Sequence, residues 1–511
     1  MHYARVWSAQ TSLLTPYLVS IEADLSRGLH AFTIVGLPDK AVEESRDRVA
    51  AAIKHTGFES PKSRNQKIVI SLAPADLKKE GPMFDLPIAL SYLLASGDIQ
   101  FDPEPYLFIG ELSLDGALRA VRGVLPLVAE AKRQGKRAVF IPKDNVEEAA
   151  LVRGIEIFSI ETLKQVIEHL NTKISKEAAP HKISPAAHTA LEIDFGDSSF
   201  ALEDIRGQES AKRAAIIAAA GGHNLGLSGS PGTGKTMLAR AIASILPPLS
   251  FDEILEVNGI HSVAGILRGK LITTAPVRSP HHTSSYVSII GGGSNPRPGE
   301  VTLAHRGVLF LDEFPEFDRR VVEALRQPLE DRIVSVARSK GTAVFPARFC
   351  LVAAMNPCPC GNWGHPTISC TCPAFAVERY RRKISGPIAD RIDLWVTMGP
   401  VELSELGKRN KEGTETLKAR ETVLRARNMQ EKRYNASKTN SDLSPRELDD
   451  LVPLSIPVRS TLEKAGERLS LSPRAFHRVI KVARTIADLE GSENIKEPHV
   501  LEALQYRERK N

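Results

Sequence analysis

The chain has 511 residues, of which 42% are hydrophobic and 25% charged, so it is long enough for two or three globular domains and too apolar for a disordered chain. Its 67 basic and 61 acidic residues leave a formal charge of +6, a mild excess that permits a polyanionic partner without indicating one. The sequence has no apolar run long enough to span a bilayer and no signal-peptide pattern at its start, which argues against a membrane partner and makes the cytoplasm the expected location.

Four regions follow one another along the chain. Residues 1–172 alternate strand-like and helical patterns and predict an α/β or α+β domain. Residues 173–198 lose this periodicity and favour a linker, and residues 199–400 predict a nucleotide-binding core. Residues 401–511 have helical periodicity with charged faces and predict a small helical lid.

The strongest motif of the sequence is a phosphate-binding loop that follows a short apolar strand and precedes a helix. It matches G-x-x-x-x-G-K-[ST] at every fixed position and consists of Gly229, Ser230, Pro231, Gly232, Thr233, Gly234, Lys235 and Thr236. In such a loop the glycines turn amide N–H groups toward phosphates, the lysine reaches the β and γ phosphates, and the Thr236 hydroxyl binds magnesium. The sequence therefore predicts an ATP site with Mg²⁺.

Two acidic residues end an apolar strand some eighty residues later. Asp312 and Glu313 follow residues 307–311 of that strand. Asp312 is predicted to hold magnesium, and Glu313 to orient and activate the attacking water. Asn356 ends another apolar strand, where its amide can contact the γ-phosphate or the water, although an Asn before a proline is also typical of a turn.

All five cysteines of the chain lie between residues 350 and 372. Cys358, Cys360, Cys370 and Cys372 form two C-x-C pairs in a loop with glycines and prolines, a pattern that suits structural Zn²⁺ held by four thiolates. His365 is a possible substitute ligand, and a loop without metal remains the alternative. Cys350 lies in an apolar strand and is interpreted as a core thiol.

Further motifs resemble one family of proteins over nearly the whole chain. They are Val35–Val42 with Glu44-Ser45-Arg46, Arg278-Ser279-Pro280-His281-His282-Thr283, Gly291-Gly292-Gly293, Pro298-Gly299-Glu300, and Leu303–Glu313. Together they resemble the ComM/YifB family of bacterial magnesium-chelatase-like AAA+ ATPases. The fold that this resemblance implies is α/β, with an AAA+ P-loop core that carries a helix-2 insert and a pre-sensor-1 hairpin, and a helical lid similar to the magnesium-chelatase C-terminal domain.

The resemblance also implies a function and two catalytic arginines. It implies a homohexameric helicase that drives branch migration of DNA, promotes integration of incoming single strands in natural transformation and homologous recombination, and meets recombination proteins as further partners. Arg391 matches the family's arginine finger, which acts on the neighbouring subunit's γ-phosphate. Arg474 matches the second sensor, and the motif leaves open whether it acts within its own subunit.

Contacts with single- and double-stranded DNA and with branched junctions are expected at two places. Residues 331–348 predict a β-hairpin, and in this family such a hairpin points into the ring pore, which assigns Arg338 and Lys340 to DNA phosphates. A basic turn that discourages edge pairing is the alternative. Arg278 and Lys270, in the insert between about residues 257 and 302, are the second candidate contact.

The first domain resembles the proteolytic domain of Lon. The resemblance rests on Lys79-Glu80-Gly81-Pro82, on residues 110–116 and on residues 141–145. Met83 stands at the position of the nucleophilic serine, and the alignment places Leu125 at that of the lysine base. A thioether and an alkyl chain cannot perform the chemistry of a Ser-Lys dyad, so peptidase activity is not expected.

Two function classes besides the DNA motor remain open at this point. A chelatase-type motor that remodels a protein partner during metal insertion into a tetrapyrrole uses the same ATP site. An ATP-dependent protease is the weakest alternative because both dyad positions are lost. DNA-stimulated ATP hydrolysis separates the first two classes.

Overall fold

The computed structural model describes residues 2–12, 14–173, 182–191, 195, 200–267, 270–293, 296–338, 341–401 and 413–507. The chain forms two compact units. The first comprises Met1–Glu192 and Leu255–Leu271, and the second comprises Ile193–Ile254 and Ile272–Asn511. Within the described ranges, no helix is both long enough and apolar enough to cross a membrane.

The first unit contains a mixed sheet and a parallel sheet with helices packed against them. Its strands are β1 (Tyr3–Ser12), β2 (Thr15–Arg27), β3 (Ala31–Val35), β4 (Gln66–Ala73), β5 (Tyr106–Phe108), β6 (Glu111–Leu112), β7 (Leu118–Arg119), β8 (Ala138–Pro142) and β9 (Glu156–Ile160). Its helices are α1 (Lys40–His55), α2 (Asp85–Ser96), α3 (Val124–Arg133), α4 (Val146–Ala149) and α5 (Leu163–Leu170). The four-stranded sheet has the order β1-β2-β4-β3, in which only β3 and β4 are parallel, and β5-β8-β9 forms the parallel sheet.

The core of the first unit contains a helix that is buried along almost its whole length and an ion pair at the start of that helix. In α2 ten of the twelve residues are buried. Asp85, at the first position of this helix, accepts hydrogen bonds from Arg48 at 2.7 and 3.0 Å and from the Leu112 backbone at 3.1 Å. Burial raises the pKa of Asp85, and the Arg48 guanidinium opposes that shift. The pair ties α1, α2 and β6 together.

Two segments outside the predicted first domain also pack on this unit. The described part of the predicted linker, residues 182–191, runs along it: the Ile183 amide donates to His169 at 3.1 Å and the Ala186 amide to Ile157 at 2.7 Å. Leu255–Leu271 lies within the range predicted for the ATPase core but is grouped with the first unit. The Ser262 hydroxyl donates to the buried Glu148 there.

The second unit is built on a parallel five-stranded sheet. Its strands are β10 (Leu225–Gly229), β11 (Val277–Arg278), β12 (Gly291–Gly292), β13 (Arg297–Pro298), β14 (Val308–Leu311), β15 (Ile333–Arg338), β16 (Gly341–Pro346), β17 (Cys350–Met355) and β18 (Leu394–Met398). The sheet has the order β11-β14-β17-β10-β18 with every neighbouring pair parallel. The α/β class is therefore confirmed, and β10, β14 and β17, whose ends carry the predicted ATP-site residues, lie side by side.

Helices cover this sheet and continue to the carboxyl end of the described chain. They are α6 (Glu209–Gly221), α7 (Lys235–Ile245), α9 (Tyr286–Ile290), α10 (Glu300–Leu303), α11 (Arg319–Ala324), α12 (Arg326–Asp331), α13 (Ala374–Arg381), α14 (Gly386–Ala389), α15 (Glu415–Tyr434), α16 (Pro445–Leu451), α17 (Ile456–Arg468), α18 (Pro473–Leu489) and α19 (Glu497–Gln505). The remaining helix, α8 (Phe251–Ala264), lies mostly in the segment Leu255–Leu271 of the first unit. One apolar cluster joins α6, α7 and the sheet to α15 and α18, so the C-terminal helices share the core of the ATPase region.

Candidate functional site

The phosphate-binding loop connects the end of β10 to the start of α7. Gly232 and Gly234 have φ values of +79° and +89°, a left-handed backbone that glycine adopts without strain. Gly234 immediately precedes α7, so the loop leads directly into the amino end of that helix. This is the arrangement in which free backbone N–H groups and the helix dipole favour a phosphate group.

The ammonium group of Lys235 lies at the centre of this loop. It donates to the backbone oxygens of Gly229 at 2.7 Å and Ser230 at 2.9 Å, and to Oδ1 of Asn356 at 3.3 Å. Burial lowers the pKa of Lys235, while the carboxylate of Asp312 opposes the shift. The structure therefore brings together residues of two motifs that are 121 positions apart in the sequence.

Thr236 and Asp312 form the predicted magnesium pair. The Thr236 hydroxyl donates to Oδ2 of Asp312 at 2.9 Å, and Oδ1 of Asp312 accepts from the Glu313 amide at the same distance. Hydroxyl and carboxylate oxygens are hard ligands of the kind that Mg²⁺ takes. The donor set fits the ion, which would neutralise phosphate charge during hydrolysis.

Glu313 projects from the end of β14 with a half-exposed side chain. Its φ of +52° is unusual for a residue with a side chain, and the turn that this backbone creates follows directly on Asp312. His282 Nδ1 lies 3.1 Å from Oε2 of Glu313. His282 belongs to the motif of residues 278–283 in the insert between about residues 257 and 302, and no spacing rule connects it to Glu313.

Arg391 and Arg474 meet at a carboxylate rather than at the phosphate-binding loop. Glu330, near the end of α12, accepts from Arg391 and, at 3.3 Å, from Arg474. Arg391 also donates to the Pro387 backbone oxygen at 2.7 Å, and only 11% of its side chain is exposed. In this arrangement Arg391 is folded against its own chain, and Glu330 is a partner that the sequence did not predict.

The four predicted metal-binding cysteines form one cluster. Their sulfur atoms all lie within 4.8 Å of one another, with Cys358 3.4 Å from Cys360 and 3.6 Å from Cys370. Four thiolates around zinc at a Zn–S distance of about 2.3 Å stand about 3.8 Å apart, so the cluster fits the ion. Backbone N–H groups of Asn362 and Thr371 lower the pKa of Cys360 to about 5, which favours the thiolate.

This cysteine loop packs on the phosphate-binding loop. A Cβ atom placed on Gly361 would lie 2.6 Å from Cδ of Pro231, and Gly361 has a φ of +82°. Glycine is therefore the residue that this contact requires. Cys350 stands apart from the cluster: its buried thiol lies 3.1 Å from the His223 backbone oxygen, as a core thiol should.

The positions of the Lon dyad lie in an apolar environment. Met83 packs against the same buried cluster that contains Leu125, at the start of α3. Neither side chain carries a nucleophile or a base, and their neighbours in that cluster are apolar. The absence of Ser-Lys chemistry in this unit stays a prediction of the sequence.

The candidate DNA contacts fall in different surroundings. A β-hairpin of β15 and β16 spans the predicted residues, with Arg338 paired to Gly341, while Lys340 lies outside the described residues. Arg278 is paired with Glu300 through two hydrogen bonds of 2.6 and 2.8 Å, so the carboxylate of Glu300 already neutralises its charge within the chain. Lys270 is exposed.

Comparisons with known proteins cover both units. Residues 201–406 match the family model "Magnesium chelatase, subunit ChlI", residues 21–145 match "Subunit ChlI of Mg-chelatase", and residues 413–507 match its C-terminal model. The chain is 42% identical to Competence protein ComM of Haemophilus influenzae, over 99% of this chain and 98% of the relative. It is also 42% identical to protein YifB of Escherichia coli, over 96% and 94% of the two chains.

A weaker similarity concerns the protease resemblance. Lon protease 2 of Bacillus subtilis is 30% identical over 112 residues, which cover 22% of this chain and 20% of that protein. The likeness to Lon is therefore partial. The 42% identity over nearly the full length of two relatives and the three matching family models together show that the chain belongs to the ComM/YifB family of magnesium-chelatase-like AAA+ proteins. Membership of this family implies ATP hydrolysis.

Proposed function

We propose that the chain is a homohexameric, ATP-driven motor that moves on DNA and drives branch migration, so that incoming single strands are integrated during natural transformation and homologous recombination. The observation that carries the ATPase part is the hydrogen-bonded set of Lys235, Asn356, Thr236 and Asp312 at the edge of one parallel sheet. The DNA part is supported by the family, whose Haemophilus member is named a competence protein. Its place of action is the cytoplasm.

The residues of the site have distinct roles in hydrolysis. Lys235 binds the β and γ phosphates, and Thr236 with Asp312 holds Mg²⁺. Glu313 orients the water and accepts its proton, because its carboxylate is half-exposed at the end of β14, next to Asp312. Asn356, already 3.3 Å from the Lys235 ammonium, stands where it can contact the γ-phosphate.

Two arginines complete the site from outside the phosphate-binding loop. Arg391 acts on the nucleotide of the neighbouring subunit, and this requires it to leave Glu330 and Pro387. Arg474 shares Glu330 with Arg391, so loss of this carboxylate would free both guanidinium groups. Both guanidinium groups can then face the γ-phosphate and stabilise the negative charge that develops on it during hydrolysis.

The β15–β16 hairpin is the proposed DNA contact. A motor that moves along any sequence must grip the phosphate backbone, and the tip of a hairpin carries positive charge farthest from its sheet. Arg338, the last residue of β15, and Lys340, which lies outside the described residues, are the proposed phosphate contacts. Arg278 is a weaker candidate because Glu300 neutralises its guanidinium.

The hairpin is tested by changing both tip residues to alanine. The variant should bind DNA more weakly, and the slope of log affinity against log salt should fall by up to about two, because two phosphate contacts are lost. ATP hydrolysis without DNA should be unchanged, since neither residue belongs to the nucleotide site, and DNA stimulation should be lost. Changing the exposed Lys432 and Arg446 to alanine is the matched control for charge. Normal DNA binding and movement by the tip variant would leave the hairpin a structural turn.

A chelatase-type motor is the second candidate, favoured by the description of the matching models as a magnesium chelatase subunit. In that case ATP hydrolysis drives remodelling of a protein partner during metal insertion into a tetrapyrrole. ATP hydrolysis that responds to DNA supports the DNA motor, whereas hydrolysis indifferent to DNA supports this second candidate.

A further inference from the structure

An exposed aromatic and basic surface adjoins the cysteine cluster. We define the knuckle surface as Trp363, Phe375, Arg379, Arg381 and Arg382. Trp363 is 44% exposed and Phe375 is 66% exposed. The core takes other residues from this region: Val377 and Tyr380 are the buried positions of α13. Because large aromatic side chains are costly to leave in water, two exposed rings in the short segment that carries the cysteine cluster point to a ligand.

Positive charge is concentrated on the same segment. Between Cys358 and Lys383 the sequence contains Arg379, Arg381, Arg382 and Lys383 against the single carboxylate of Glu378, in a chain whose formal charge is only +6. Arg382 pairs with Glu378, and Lys383 lies 2.8 Å from Glu316. Among the described residues, no carboxylate pairs with Arg379 or Arg381, so both charges are available to an anionic partner.

Cations lie close to both rings. Phe375 and Arg379 are four residues apart and share one face of α13. The Arg381 guanidinium carbon lies 5.8 Å from the centre of the Trp363 ring. A partner that contacts these rings therefore meets a guanidinium group at the same time.

The surface is anchored to fixed structure. The Trp363 backbone N–H donates to the sulfur of Cys358, which is buried, at 3.3 Å. Tyr380 holds the other side of α13 in the core. A rigid aromatic platform loses little conformational entropy when a flat ring stacks on it.

We propose that the knuckle surface binds single-stranded nucleic acid, with unpaired bases stacked on Trp363 and Phe375 and phosphates held by Arg379 and Arg381. Aromatic rings combined with cations that follow a backbone are the recognition mode of single strands, and a duplex keeps its base faces hidden in its own stack. This inference rests on the nucleic-acid partner of the proposed function. It adds a second contact, separate from the hairpin, that selects the single-stranded state.

The test uses the full-length protein and intrinsic tryptophan fluorescence. The chain has three tryptophans, so Trp7→Phe with Trp395→Phe leaves Trp363 as the only one. Titration with an oligo(dT) strand should quench Trp363, and a duplex of the same length should quench it much less. Trp363→Ala with Phe375→Ala should weaken oligo(dT) binding at least about tenfold, because two stacking partners are lost. Trp363→Phe should retain most of the affinity.

Controls separate this inference from folding and from the proposed function. Leu501→Ala removes an equally exposed apolar side chain from α19 and should leave binding unchanged. Arg379→Gln should lower the salt dependence of binding, whereas Arg446→Gln should not.

Each alternative outcome has a definite meaning. If the unaltered protein binds oligo(dT) but Trp363 is not quenched and the alanine variant binds equally well, the knuckle surface is not the site and the hairpin remains. Absence of any nucleic-acid binding would overturn the proposed function as well. If sedimentation shows that the alanine variant no longer assembles, the surface is instead a contact between copies of this chain.

Discussion

At the scale of single residues, the nucleotide site depends on one buried cation. The Lys235 ammonium has three oxygen partners, yet burial still lowers its pKa. A triphosphate would oppose that shift, because it brings negative charge to the same group. Loss of Lys235 therefore removes a contact that binds the nucleotide. Loss of Glu313 removes a catalytic group and leaves the phosphate-binding loop intact.

Lys235→Ala should abolish ATP binding, whereas Glu313→Gln should bind ATP normally and lower hydrolysis at least about a hundredfold, because general-base catalysis contributes about that much or more. Nucleotide-binding fluorescence and phosphate release measure the two properties separately. Sedimentation should show that the Glu313→Gln protein accumulates as an ATP-loaded hexamer. Turnover by Glu313→Gln at the unaltered rate would remove this residue from catalysis.

Arg391→Ala should leave ATP binding nearly intact and reduce hydrolysis about a thousandfold or more, as for loss of an arginine finger. Mixing this variant with Lys235→Ala subunits should restore part of the activity, since an intact loop then faces an intact Arg391 across a subunit boundary. The measurement is phosphate release as a function of the mixing ratio. Mixed rings that form but never recover activity would contradict an action between subunits.

Sequence motifs locate the residues of this site better than they locate their partners. The pairing of Thr236 with Asp312 follows from two motifs with fixed chemistry. Glu330 could not be predicted, because its contacts with Arg391 and Arg474 span 61 and 144 residues and depend on how α12 meets the later chain. The contact of His282 with Glu313 likewise depends on the path of the insert and has no local signal.

At the scale of elements, the cysteine loop and the phosphate-binding loop form one packed unit. Gly361 contacts Pro231 closely, and the C-x-C pairs bring four sulfur atoms together beside that contact. The strands before both loops and the helix after the phosphate-binding loop were predicted from the sequence, whereas α13, after the cysteine loop, was not. The grouping of Leu255–Leu271 with the first unit was not predicted either, because Leu255 and Leu271 pack on a cluster whose buried residues all lie at or before Ile157 in the sequence.

The purified protein should contain about one zinc ion per chain, and Cys358→Ser with Cys360→Ser should release it, because two of four thiolate ligands are lost. ATP hydrolysis should fall in the same variant, since Gly361 then no longer supports Pro231. Metal analysis and phosphate release check the two effects. Cys350→Ala is the matched control, which should keep both the metal and the activity. A metal-free protein prepared under reducing conditions without chelators would contradict the assignment.

At the scale of the whole molecule, a unit without dyad chemistry precedes an ATPase unit with a complete set of phosphate-binding residues. Met83 and Leu125, which align with the Lon dyad, cannot act as a nucleophile or a base, so proteolysis at that site is not expected to use the energy of ATP. ATP hydrolysis can then drive either movement of DNA or remodelling of a protein. DNA movement is the central claim, and it can be observed directly.

The decisive measurement is branch migration on synthetic three- and four-strand junctions with labelled strands. The unaltered protein should convert the junctions to products in an ATP-dependent manner, and Lys235→Ala and Glu313→Gln should not, because both stop hydrolysis. The Arg338 and Lys340 double-alanine variant should hydrolyse ATP without moving the junction. Junctions that stay in place while the unaltered protein hydrolyses ATP, at every DNA structure and salt concentration, would contradict the DNA motor.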